Sequence, residues 1–290
     1  MPRLPFDYSP LPERPPLELP GGARIAVYVL VNVEYFEPGK PALSLYSGTA
    51  SFPVDPLNYG WRDYGPRVGV WRLIELLDKY GITGTAALNS DACEHYPQII
   101  EAGRTRNWAW VAHGKNNSIL QGAMEEAEER VYLREVVETI ERGTGARPQG
   151  WLGPSLTETE HTPVILEELG LTYVLDWGND DQPYPLTAGE RMIAVPYPSE
   201  LHDIPMLLLY GWTGEEFADA MIEQFDVLYH EGVHRRSIFG IGRHPFLVGQ
   251  PFRIRHLERV LAHITRHEDV WLATSDEIAD FYRDSRGTSA

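Results

Sequence analysis

Glu34, His113 and His244 are the residues of this sequence whose types and surroundings suit them to chemistry. Glu34 closes the run Val-Tyr-Val-Leu-Val-Asn-Val-Glu (27–34), which is apolar and rich in β-branched residues. Such a run suits a strand covered on both faces. Asn32 and Glu34 are two residues apart, so an extended chain puts them on one side. A carboxylate where a buried strand emerges needs a partner to offset its desolvation, and general base or metal ligand are the chemical roles open to it. Its plain alternative is a solvated residue starting a loop. His113 opens Gly114-Lys115-Asn116-Asn117, where a helical turn would bring His113 and Asn117 together at i and i+4. An amide oxygen binds transition metals weakly, so Asn117 is a poor second ligand beside an imidazole. His244, in Arg243-His244-Pro245-Phe246-Leu247, is placed to give a proton to a departing nitrogen.

The elements around these residues alternate. The first strand spans 24–33, a helix opened by Pro66 runs to Tyr80 and stops at Gly81, and strands follow at 85–88, 107–112, 150–152, 173–175, 192–195, 237–241 and 270–273. Helices are expected at 94–102, 125–144, 158–169, 213–231, 254–266 and 276–283, while 34–64 has no helical period and 179–211 lacks a full crossover helix. Strand–helix alternation means βαβ units and a parallel sheet. The fold class is α/β: a distorted, incompletely closed (β/α) barrel of seven or eight mostly parallel strands, with an open doubly wound sheet as the alternative. Residues 1–22 form a proline-rich arm, 23–290 a single domain, and 286–290 a frayed tail. In a barrel Asn32, Glu34, His113, the segment 151–154, Asp176 and His244 would share the rim at the carboxyl ends of the strands. Each alone is more often a cap or turn residue; together they favour a site. His161 and His202 stay open as candidates, whereas His256, His263 and His267 lie on or just after a helix that reads as surface. The acids in Asn179-Asp180-Asp181-Gln182-Pro183-Tyr184 suit a turn.

A net charge of −17 argues against non-specific binding to nucleic acid or anionic membranes. One cysteine, Cys93, rules out an intrachain disulfide and a thiolate zinc cluster. No stretch has the length and apolarity of a membrane span, and the N-terminus has no signal-peptide core, so the expected address is the cytoplasm. Phosphate-binding glycine loops and a Gly-x-Ser-x-Gly elbow are lacking.

Asn32-Val33-Glu34, Tyr64-Gly65-Pro66-Arg67-Val68-Gly69, His113-Gly114, Arg147-Pro148-Gln149-Gly150-Trp151, Asp180-Asp181-Gln182-Pro183-Tyr184 and His244-Pro245-Phe246-Leu247-Val248-Gly249-Gln250-Pro251 together give the chain a resemblance to a known family over nearly its whole length. It resembles the polysaccharide deacetylases (NodB-homology domains), in the branch with the bacterial allantoinase of that fold and the cyclic imide hydrolases. That resemblance implies a distorted barrel, a metal-ligand carboxylate at Glu34, a first metal-binding histidine at His113 and a late, proton-donating histidine at His244. Two positions depart from the pattern: the usual base aspartate is Asn32, and the second metal-binding histidine is Asn117.

We therefore expect a hydrolase of non-peptide carbon–nitrogen bonds acting on a small amide, imide or ureide, cyclic in the leading reading. Glu34, His113 and His244 are the catalytic candidates, and Asn32, Arg67, Trp151, Asp181 and Tyr184 the substrate contacts, with Trp61 a further flat wall. Backbone amides of 151–154, or Arg67, would hold the oxyanion. No cofactor is firmly implied; a divalent metal, zinc, on Glu34, His113 and Asn117 is the candidate. A small molecule is the expected partner, with neither nucleic acid nor membrane, and the proline arm and the branch's habit suggest a homo-oligomer. The alternatives are a metal-dependent sugar de-N-acetylase and a catalytically inactive ligand-binding or scaffold member.

Overall fold

The computed structural model of the chain describes residues 4–40, 42–189 and 191–287. Among the described residues, nine strands form one curled sheet, parallel except at one edge: β1 (Ile25–Val33), β2 (Thr85–Leu88), β3 (Ala109–Ala112), β4 (Gly150–Trp151), β5 (Tyr173–Val174), β6 (Tyr184–Pro185), β7 (Ile193–Ala194), β8 (Ser237–Arg243) and β9 (Val270–Leu272). Their order is β6-β7-β5-β4-β3-β2-β1-β8, and β9 shares β1 by pairing with its first three residues. The helices are α1 (Pro56–Tyr64), α2 (Val70–Tyr80), α3 (Ala92–His95), α4 (Pro97–Arg104), α5 (Glu126–Thr144), α6 (Thr162–Glu168), α7 (Gly214–Glu231), α8 (Pro245–Val248), α9 (Pro251–Thr265) and α10 (Ser275–Gly287).

β1 is the axis of the fold, and all nine of its residues are buried. Its odd positions, Ile25 to Val33, join the large core shared with the helices; Ala26, Tyr28 and Leu30 face the other way, into the barrel. That interior is packed by tyrosine rings resting on glycines. A Cβ on Gly240 would lie 2.7 Å from the Tyr28 hydroxyl, and one on Gly242 2.5 Å from that of Tyr197. Only glycine lets β8 approach those rings. β8 and β6 are not paired in the sheet, so the barrel is a half-barrel. The seam between them is bridged near its base by Ile238 N–H donating to Asp181 O at 2.8 Å and by Gln182 Nε2 donating to Arg236 O at 2.7 Å.

The irregular barrel expected from the alternation is present, and several boundaries are corrected. Segment 34–64 is not all loop: Asp55 caps α1 by accepting from Asn58 N–H, and Pro56 supplies a fixed φ at its first position. The helix opened by Pro66 starts with a π-type turn (Gly65–Gly69) before α2. Helix 94–102 is two helices, α3 and α4, divided at Tyr96 and Pro97, and 158–169 is helical only in α6. β6 was not expected; it pairs antiparallel with β7. The tail is helical through Gly287, and residues 288–290 lie outside the described residues. The described part of the N-terminal arm lies on its own chain. Arg14 pairs with Asp180 at 2.6 Å, and Phe6 meets Trp177 and Tyr184 edge-on. No helix among the described residues is long and apolar enough to cross a membrane.

Candidate active site

The alternation of β1 continues past its end, so Asn32 and Glu34 point to the same side as Tyr28 and Leu30. The same parity holds on neighbouring strands. Ala87 and Val111 face the interior, which puts Asn89 and His113 there, two residues on; Gly240 and Gly242 do the same for His244. Four chain segments thus deliver polar side chains to one rim.

Glu34, 7% exposed, is where they meet. Its Oε1 lies 2.5 Å from Asn117 Nδ2, 3.4 Å from His113 Nε2 and 3.3 Å from His244 Nε2. Among the described residues none is bonded to Oε2. Burial alone would raise the Glu34 pKa; the charge of His244 and hydrogen bonding from both histidines outweigh it and hold the carboxyl far below its usual range.

Two backbone groups fix the orientation of Asn117. Tyr35 N–H donates to Asn89 Oδ1 at 2.9 Å, so the Asn89 NH2 faces the His113 carbonyl and, at 3.0 Å, Asn117 Oδ1. The Asn117 NH2 is therefore turned onto Glu34. His113 is oriented in turn by Nδ1 donating to Leu152 O at 2.5 Å.

His244 is held from behind by Asp203, fully buried, whose Oδ2 accepts the His244 backbone N–H at 2.6 Å and whose Oδ1 accepts from Nδ1 at 2.8 Å. Burial opposes charge on the imidazole, but Glu34 on one side and Asp203 on the other override it and raise its pKa to about 10. His244 is thus an imidazolium at neutral pH, between two carboxylates. Asp203 is itself lowered to about 2, against its burial, by His244 and His202. His202, bonded through Nε2 to the Tyr197 hydroxyl at 2.8 Å, is kept neutral by burial, which takes it down to about 3. Arg243 faces the helix layer, with Met221 Sδ 2.7 Å from its NH2 and the Phe217 ring beneath it.

The donor set does not fit a tightly held metal in the cleft. Glu34 and His113 present ligand atoms, but the next place is filled by an NH2 group, which has no lone pair to give. Clusters of metal-binding type do occur among the described residues. In one of them, His202, Asp203 and His244 bring donor atoms within 4.8 Å of one another, yet both Asp203 oxygens are already engaged by His244.

A cleft of about 300 Å³ opens over these groups. Phe36, Leu43, Leu152, Leu156, Ile204 and Pro205 give it apolar walls, and no described residue lining it is Lys or Arg. Asn32 lines it too; its Nδ2 is buried and makes no well-formed hydrogen bond, with the Tyr197 hydroxyl as its neighbour.

The other expected substrate contacts fall elsewhere. Arg67 is 74% exposed and reaches only Asp63. Trp151 is fully buried in the helix-side core, because Gly150 takes the interior-facing parity on β4 and Leu152, one residue later, reaches the cleft. Asp181 sits at the base of the barrel seam, beside the start of β8 and at the opposite end from His244. Tyr184 lies on β6, bonded to Asn179. Trp61 packs edge-on against Phe246. The proposed backbone oxyanion donors are spent: Gly153 N–H bonds Asp176 Oδ1 at 2.7 Å, Leu152 N–H bonds Ala112 O, and Pro154 has none. No helical turn joins His113 to Asn117; residues 113–119 form turns and bends. The reading of the sequence missed Asp203 and Asn89. Asn89 directly follows β2, the same strand-end position that marked the others; Asp203 carries no such mark beyond its adjacency to His202.

The polysaccharide deacetylase family model matches residues 62–174. A solved structure described as a probable polysaccharide deacetylase from Pseudomonas aeruginosa PAO1 superposes with a TM-score of 0.86 at 30% identity, over 97% of this chain and 98% of that one. PuuE allantoinase superposes with a TM-score of 0.83 at 28% identity, over 97% and 99% of the two chains. A Schizosaccharomyces pombe protein assigned to the polysaccharide deacetylases is 28% identical over 290 residues, 90% of each chain. With its half-barrel and its rim of Glu34, His113 and His244, the chain belongs to the polysaccharide deacetylase family of hydrolases.

Proposed function

We propose that this protein hydrolyses a carbon–nitrogen bond in a small, uncharged cyclic amide, imide or ureide. The observation that carries the reading is the cleft. It is small and apolar-walled, without Lys or Arg among its described lining residues, and has a carboxylate and an imidazolium side by side in its lining. A site of this size suits a ligand of drug or metabolite dimensions. Asn32 lines the cleft beside Glu34, and a turn of its amide from Tyr197 onto the substrate carbonyl would supply a donor to the oxyanion that develops there. Glu34 Oε2 holds the attacking water. His244 gives its Nε2 proton to the departing nitrogen, and Asp203 keeps the ring oriented for that transfer. The two proton movements are coupled. As His244 loses its charge, the cation that depresses Glu34 disappears, so the carboxylate becomes basic enough to take the proton of the water. Return of that proton to His244 resets the site. His113 and Asn117 hold Glu34 in place.

A second reading, de-N-acetylation of a sugar, is favoured by the relatives described as deacetylases and by the retention of Glu34 and His113. Assaying the purified protein on hydantoins, dihydropyrimidines, succinimides, allantoin and acetylated sugar oligomers, with and without added Zn2+, separates the two. Ring opening that is insensitive to chelators supports the first; zinc-dependent acetate release with no ring opening refutes it.

A further inference from the structure

A second set of donors lies outside the cleft, across the packed pair α7 and α9. His263, in the last turn of α9, places Nε2 2.6 Å from Oδ1 of Asp226 on α7. His267, four residues on, brings a third donor, and one ligand atom from each residue lies within 4.8 Å of the others. The His267 Nδ1 donates to the His263 carbonyl at 2.8 Å, which leaves Nε2 as the ring nitrogen available to a ligand. The rings are also wedged: His267 stands edge-on to Phe225 and Tyr229 at 5.1 and 5.0 Å, and His263 edge-on to Phe225 at 5.7 Å. Oriented imidazoles four residues apart, with a carboxylate from a neighbouring helix, are the donors a borderline divalent cation prefers.

We propose that Asp226, His263 and His267 form a zinc site separate from the cleft, with water completing the tetrahedron. Binding displaces the hydrogen bond between His263 and Asp226, and the Arg266 contact to His263 Nδ1 is released so that this nitrogen can carry the proton. The ion ties α7 to α9. α7 leads into β8, His244 is the residue after that strand, and α8 and α9 follow directly. The site is therefore a clamp on the segment that presents the candidate acid, and its binding does not depend on what the cleft hydrolyses.

The test is Zn2+ titration against a chromogenic chelator in a Glu34→Gln, His113→Ala protein, whose cleft keeps neither of those two ligands, with Asp226→Asn separating the proposed site from the remaining His202, Asp203 and His244. The cleft-disabled protein should keep one equivalent of Zn2+ and melt at a higher temperature when Zn2+ is added. Adding His267→Ala should weaken binding at least ~10-fold and remove the thermal shift. Asp226→Asn, half-exposed and outside the core, should do the same and decides the matter if His267→Ala does not fold. Absence of a bound equivalent in the cleft-disabled protein, or undiminished binding in Asp226→Asn, overturns the site.

Discussion

Asp203→Asn isolates what the buried carboxylate does for His244. The rise of His244 from its ordinary 6.5 to about 10 corresponds to ~5 kcal/mol in favour of the charged ring, at 1.36 kcal/mol per tenfold. Two anions supply it against the cost of burial: Glu34 at 3.3 Å and Asp203 at 2.8 Å. At an effective dielectric of about 20, unit charges 2.8 Å apart attract by ~6 kcal/mol, so Asp203 matters as much as Glu34. An amide keeps the shape and can still accept the His244 backbone N–H, but it turns an NH2 toward Nδ1. That favours a neutral ring protonated on Nε2. The basic limb of the kcat/KM profile should then fall from about 10 to ~8, near half the displacement being lost. At pH 7 the ring stays mostly charged, but it has lost its anchor at Nδ1, and from that loss of orientation kcat should drop ~10^2- to 10^4-fold with KM little changed. Arg243 also loses the buried anion that most favours its charge, so a cost of about 3–5 kcal/mol in stability is expected. Kinetics are therefore run well below the melting midpoint, with circular dichroism on the same sample. A folded Asp203→Asn protein with kcat within threefold of wild type and an unmoved basic limb would refute the argument.

Four further outcomes follow from the same structure. In the wild type, kcat/KM should be level through neutral pH and fall above about 10, because the required species is His244 charged and Glu34 ionised; a basic limb near 7 contradicts this. The raised His244 pKa contributes stability that is complete below 6.5 and is lost as pH climbs through about 10, which urea denaturation at pH 7 and pH 10 measures. Asn117→His, which puts an imidazole where the NH2 now fills the ligand set, should tighten zinc binding in the cleft at least ~100-fold; chelator competition with Asp226→Asn in both proteins keeps the readout on the cleft. Asp176→Asn should be neutral or stabilising at pH 7. Burial and the facing Glu158 raise the Asp176 pKa well above normal, so folding favours its protonated form and stability is lost as pH rises; an amide keeps the acceptor for Gly153 N–H and carries no charge. A drop of several degrees in the melting midpoint would show that the carboxylate is needed.

The sequence made the fold legible where one period dominated. β1 is a nine-residue buried strand because its residues suit both faces, and Gly81 ends α2 at φ 64°, as a left-handed cap requires. α1 was hidden by Pro56, Gly60 and its aromatic residues, although Asp55-Pro56 is a helix-start signal. Strand-end position and two-residue parity single out Glu34, Asn32, His113 and His244, which the fold brings to one rim. The aromatic candidates failed because Trp151 and Tyr184 were chosen for ring chemistry without that parity, which on β4 selects Leu152. Asp203 and Asn89 act through hydrogen bonds to residues 41 and 28 positions away, spacings that local patterns do not constrain.

The central claim is that Glu34 activates water beside a protonated His244, and Glu34→Gln tests it most directly. With the best substrate from the panel, kcat/KM should fall at least ~10^3-fold, from loss of the base together with its hold on the acid, while circular dichroism and a cooperative melt show an intact fold. A well-folded Glu34→Gln protein that turns over within a few-fold of wild type would contradict the account.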